Sequence, residues 1–334
     1  MKDLKTIASG LTLLISLTNC SNLEIRKNEE FDPVIYSQSY LDKIEKNYFN
    51  NLSVKLKEPE KYGIEQITEQ EFYSQLKKEK IILLGDVHPS RLGHKRKQEI
   101  IKEIIGSSKD NEEYSIIMEI FYEEHEKPLE EYISGKIDKE KFFVETGFLY
   151  VKPYLEEFCI LDYLDIIKDK RMGGKDVKIL SGSTAMGKDL FEFLRDKARK
   201  REKPPYDIPK KFEERASITQ DYSKINWYNE DIYVVNKIKK ELKQGRKVID
   251  IIGETHVEEK HLPLLIEKEI GVIPCVVSQY NNESDIVTGG IAKKFEEYDK
   301  MYIYKSSREK YYFINTPLIQ EDILKYRGIF KLDE

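Results

Sequence analysis

Four apolar residues in a row, Ile81–Leu84, stand between the charged "KKEK" and Gly85-Asp86. A short continuous apolar run bounded by polar segments is the pattern of a strand buried on both faces. It recurs in "YSIIMEI" (114–120), "DVKILSG" (176–182), "KVIDIIGETH" (247–256) and "VIPCVVSQ" (272–279). Between these runs the apolar residues return at helical spacing. "LGHKRKQEIIKEIIG" stops at Gly106, "EEHEKPLEEYISG" at Gly135 and "NEDIYVVNKIKKELKQG" at Gly245. "DKEKFFVETG", "YLEEFCILDYLDIIKDK" and "EEKHLPLLIEKEIG" read as further helices. Thr68, with Glu71 three residues on, signals the start of a short helix before the first strand. Near the end, "KMYIYKSSREKYYFINTP" alternates aromatic residues about a polar turn, as a hairpin does.

Strands alternating with helices predict an α/β fold, a mostly parallel sheet with helices on both faces. A helical insertion over 186–244, broken by a Pro-rich loop at 204–209, occupies the middle. Residues 65–334 are read as one domain. Before it, "MKDLKTIASGLTLLISLTNC" joins two lysines to a short apolar run and a cysteine, the order of a secretory leader. The ending "LTNC" resembles a bacterial lipobox, which makes Cys20 the lipidation site and residues 1–19 the leader. Residues 20–64 are polar and read as a tether, with one helix around Ser39–Asn47. This reading places the protein at the bacterial cell envelope, held to a membrane surface by its lipid.

Composition narrows the function. Charged residues make up 35% of the chain with a net charge of −5, and the basic run "RDKARKREK" has acidic neighbours. No nucleic-acid partner is expected. Cys159 and Cys275 sit in apolar settings without metal-site spacing, and both read as buried free thiols.

The chemistry gathers at strand ends. In open parallel sheets, ligands bind beyond the carboxyl ends of the strands. Asp86 and His88 fall there on one strand, Glu254 and His256 on another, and Glu119 on a third. Residues two apart in an extended segment point the same way, so each acid and its histidine are expected to share one cleft. The glycine before each pair is expected to let the backbone turn sharply. Asp86, His88, Glu119, Glu254 and His256 form the candidate ligand or catalytic cluster. Within it His88, Glu119 and His256 suit a divalent metal ion. The same groups suit metal-free work, a carboxylate orienting a histidine base toward water. Asp86 and Glu254 would also serve as helix N-terminal caps, and the two roles are compatible. His94 and His261 fall in the following helices, as supports or solvent-facing residues.

"IILLGDVHPSRLGHKRKQEII", "SIIMEIFYEEHEKPLEEYISGKIDKEKFF" and "KVIDIIGETHVEEKHLPLLIEKE" resemble, in order and spacing, the ChaN-like haem-binding lipoproteins. That family stands beside the Tiki proteases, TraB proteins and erythromycin esterases. The resemblance implies a ChaN-like α/β domain that binds haem or another iron-bearing cofactor for iron uptake. In the hydrolytic branches the equivalent His and Glu positions serve hydrolysis, so a metal-dependent or His/Glu-based hydrolase is the alternative. Haem iron takes His, Met, Cys or Tyr, and Tyr150, Tyr154 and His125 are the candidate ligands. Partners implied are a membrane surface and haem or a small molecule, with a homodimer left open. The chain departs from the family in two places. Asp86 stands where many relatives have Glu, and Glu230-Asp231 where relatives often have an Arg-Asp or Arg-Asn pair.

Overall fold

The computed structural model describes residues 61, 63–86, 90–108, 111–148, 160–183, 188–202, 227–258, 261–280, 303–305 and 310–315. The leader, Cys20, Cys159, the Ser39–Asn47 helix and the 204–209 loop lie outside them. The strands are β1 (Glu65–Ile67), β2 (Ile81–Asp86), β3 (Glu113–Tyr122), β4 (Asp176–Ser183), β5 (Lys247–Gly253), β6 (Cys275–Tyr280), β7 (Ile303–Lys305) and β8 (Tyr311–Asn315). They form one sheet in the order β1-β7-β8-β6-β2-β5-β3-β4. From β8 to β4 every pairing is parallel, and β7 runs antiparallel to both its neighbours. The expected hairpin is present as β7 and β8, and β8 continues the parallel sheet beside β6.

The helices are α1 (Glu69–Leu76), α2 (Arg91–Gly106), α3 (Glu126–Ile133), α4 (Lys139–Glu145), α5 (Ile160–Met172), α6 (Lys188–Arg199), α7 (Trp227–Lys243) and α8 (Leu262–Ile270). Thr68 caps α1 by accepting the Glu71 N–H at 3.2 Å, as the sequence suggested. Alternation along the strands divides the core in two. Ile82, Leu84, Ile116, Met118, Ile249 and Ile251 pack with α1 to α5 on one face. Ile81, Leu83, Ile117, Val248 and Ile252 pack with α7 and α8 on the other. Both faces are covered, which is why these strands read as continuous apolar runs. No helix among the described residues is long and apolar enough to cross a membrane.

Two features prepare the site. At the amino-terminal edge the buried Arg246 guanidinium donates to Ser115 Oγ, Glu113, Asp176 and the Tyr114 carbonyl. Ser115 Oγ in turn donates to Glu241 of α7 at 2.7 Å, which fixes that helix against the strands. At the carboxyl edge β3 bulges. Met118 pairs with Ser181, but the next pairing is Tyr122 with Ser183. Ser183 Oγ donates to the Glu119 carbonyl at 2.5 Å. Gly182 makes the approach possible, because a Cβ there would lie 2.6 Å from the Glu119 nitrogen. Bulges re-aim side chains at sheet rims, and this one carries Glu119.

Candidate functional site

Three acids of the expected cluster are described, and the sheet separates two of them. Asp86 follows Ile82 and Leu84 in alternation, so it faces α2. There the fully buried Lys97 donates to Asp86 Oδ1. His94 Nδ1 stands 3.5 Å from the same oxygen and 3.3 Å from the Tyr163 hydroxyl of α5. Burial lowers the Lys97 pKa, while Asp86 and Glu254 act to raise it. Glu119 follows Ile117 and lies on the opposite face, under α7 and α8. The acids of β2 and β3 therefore do not share one pocket.

On the second face Glu119 Oε2 accepts the Gly253 N–H at 2.6 Å. Its Oε1 lies 3.8 Å from His256 Nε2. His256 Nδ1 lies 2.5 Å from Asp231 Oδ1, and His261 Nδ1 is 4.0 Å from the other oxygen of that carboxylate. Burial alone would lower the His256 pKa, but Asp231, Glu119 and Asp250 raise it to about 9. At neutral pH the ring is therefore an imidazolium, with a proton to give rather than to take. Asp250, fully buried on the same face, has no hydrogen-bond partner among the described residues for either carboxylate oxygen. Burial, with Glu119 second, pushes its pKa well above the usual carboxylate range.

Glu254 departs from the expected geometry. The chain leaves β5 directly into a 3-10 turn, Glu254–Val257, so residues two apart no longer point the same way. Glu254 turns to β6, where it accepts from Ser278 Oγ and from the Gln279 N–H at 2.9 Å. His256 turns to α7. The acid and histidine of this motif thus act in different places. Burial raises the Glu254 pKa to about 8, against the opposing effect of its two donors and Lys97. Gly85 is needed for space and not for a turn. Its φ is not positive, and a Cβ on it would overlap the Glu254 carboxylate.

His88, Tyr150 and Tyr154 lie outside the described residues. Among the described residues no group of three His, Cys, Asp or Glu side chains is arranged to hold a metal ion. His125, the described candidate haem ligand, does not fit that role. Its ring is fully buried against Phe121, Tyr122, Phe148 and Phe191, and its Nδ1 accepts the Tyr122 N–H at 3.1 Å. Burial lowers its pKa to about 3, so it stays neutral as a core residue. His94 and His261 are both buried supports, neither facing solvent. Cys275 is a buried free thiol, as its apolar setting suggested.

Lys97 and Asp250 were missed by pattern reading, although each left a trace. Lys97 stands in the apolar stripe of α2 with Ile100, Ile101 and Ile104. Asp250 interrupts the apolar run of β5. A charge inside an apolar period is the signal that would have found both.

Comparison with known proteins bears on the same segment. Residues 72–158 match the family model described as haem-binding uptake, Tiki superfamily, ChaN. Over this stretch the chain is similar to the ChaN haem-binding family. The matched stretch runs from α1 past β3 and contains Asp86, Glu119, His125, Tyr150 and Tyr154. Among solved structures, "Cofacial heme binding to ChaN of Campylobacter jejuni" is similar at 14% identity with a TM-score of 0.40. The similarity covers 74% of this chain and 91% of that one. No curated protein matches the sequence.

Proposed function

We propose that the protein is a haem-binding lipoprotein of the ChaN type, held at the bacterial cell envelope by a lipid on Cys20 and serving iron uptake. The match of residues 72–158 to the haem-binding family carries this reading. Tyr150 and Tyr154, in the last part of the matched stretch, are the iron ligands it names, since a phenolate is an established axial ligand. His125 is set aside because its ring is packed into the core. Titrating hemin into the purified protein should give a saturable Soret band that Tyr150→Phe or Tyr154→Phe abolishes. A spectrum that never saturates would overturn the reading. Cys20→Ala should move the protein from the membrane fraction to the soluble one.

A second reading has its own observation. The contact of His256 Nδ1 with Asp231 at 2.5 Å orients the ring so that Nε2 faces Glu119. A carboxylate-oriented imidazolium beside a second carboxylate is a general-acid arrangement, which supports hydrolysis at this edge. An esterase and peptidase panel compared between wild type and His256→Ala tests it. Equal rates in both would remove it.

A further inference from the structure

The acids at the carboxyl edge raise a question of charge balance. Asp86 and Glu254 are both buried, and ionised carboxylates taken out of water require a compensating cation or donors. In many sites with this ligand set a divalent metal supplies the charge. Here the chain itself places one. Lys97 Nζ, on the second turn of α2, contacts Asp86 Oδ1 and lies 3.4 Å from the Gly85 carbonyl. Glu254 stands beside this position, since a Cβ on Gly85 would overlap Glu254 Oε2. Both Glu254 oxygens and one Glu119 oxygen also have intrachain donors. Ser278 and the Gln279 N–H serve Glu254, and the Gly253 N–H serves Glu119. The sheet holds Asp86 and Glu119 on opposite faces, so one ion cannot bridge them.

We propose that Lys97 is a built-in cation that takes the place of a divalent metal at Asp86, so that this acid works without a resident metal ion. The side chain fills the position by shape as well as charge, since its four methylenes are packed in the α2 stripe. The proposal is independent of haem binding, and it is tested on full-length protein showing no Soret absorbance.

Full-length wild type is incubated with Zn²⁺ or Mn²⁺, desalted and assayed for metal, and its Tm is measured with and without EDTA. The expected result is no retained equivalent of metal and no change of Tm on chelation. Lys97→Met should lower Tm by many degrees, and adding Asp86→Asn should restore part of the loss. An equivalent of metal retained by wild type and lost on Asp86→Asn would overturn the proposal. Should Asp86→Asn fail to fold, a fall in the wild-type Tm on chelation overturns it alone. A Tm for Lys97→Met equal to wild type would also overturn it, because a counter-ion cannot be removed without cost.

Discussion

Gly85-Asp86-Val87-His88 and Gly253-Glu254-Thr255-His256 end neighbouring parallel strands, with Asp86 opposite Gly253 in register. Two copies of one pattern in one place would be expected to do one job. They meet different partners instead. The first acid faces α2 and finds a lysine, which gives a compensated ion pair. The second acid is carried by the 3-10 turn to β6, while its histidine finds Asp231 on α7 and becomes a cation itself. The spacing of acid and histidine fixes where polar groups emerge from the sheet. The helix laid over each strand end decides what those groups become.

The contrast can be broken most severely at Lys97. Replacing it with Met leaves Asp86 buried without its partner, and breaking a buried pair typically costs about 3–5 kcal/mol. Urea denaturation should show a loss of that size, and the Asp86→Asn, Lys97→Met double variant should recover a clear part of it. If the single and double variants are equally unstable, the pair is not the compensating unit.

Next in size is Gly182→Ala. Its new Cβ would press on the Glu119 backbone, which cannot move aside as a side chain can. Overpacking of this kind costs about 1–3 kcal/mol, and the displaced Glu119 should weaken its bond to the Gly253 N–H. Slower exchange of that amide than in wild type would contradict the account.

The two titrating groups of the second motif should also give one shared pH dependence. Glu254, raised from 4.5 to about 8, keeps a proton in the folded state that the unfolded chain has already released. Stability from this group therefore falls as pH rises between those values. His256, raised from 6.5 to about 9, adds stability that is full below 6.5 and lost as pH rises through 9. Both slopes have the same sign, so the protein should lose stability steadily from about pH 5 to pH 9. Glu254→Gln should flatten the lower part of that curve and His256→Gln the upper part. Curves that remain parallel to wild type would assign the slope elsewhere.

The smallest effect sharpens the second motif alone. Asp231→Asn keeps the contact to His256 but removes the first cause of its raised pKa. Imidazole titration followed by NMR should move downward by one unit or more, the order expected for removing an adjacent charge. Global stability should change little in comparison with Lys97→Met.

Much of the fold was legible because the physics is local. Ile81–Leu84 and, apart from Asp250, Val248–Ile252 are apolar since both faces of a parallel sheet are covered. Gly106, Gly135 and Gly245 stand at or just beyond helix ends, and Gly135 and Gly245 have positive φ. Asp86, Glu119, Glu254 and His256 were correctly placed at the carboxyl edge, and Glu119 does approach His256. Their grouping into one cluster was not legible. A strand's alternation tells which residues share a face, but it does not relate the faces of two strands until register is known. The bulge at Glu119 and the turn at Glu254 then alter the local alternation itself.

The sequence by itself determined the α/β class, the strand ends that carry chemistry and the identity of the acids and imidazoles there. Period and composition suffice for these, since burial of apolar residues imposes the same spacing wherever the element lies. Only the tertiary structure decided that Lys97 neutralises Asp86, that Asp231 charges His256 and that burial raises the Asp250 pKa. Those outcomes depend on distances between residues 11, 25 and more positions apart, and on the low dielectric that packing creates around them.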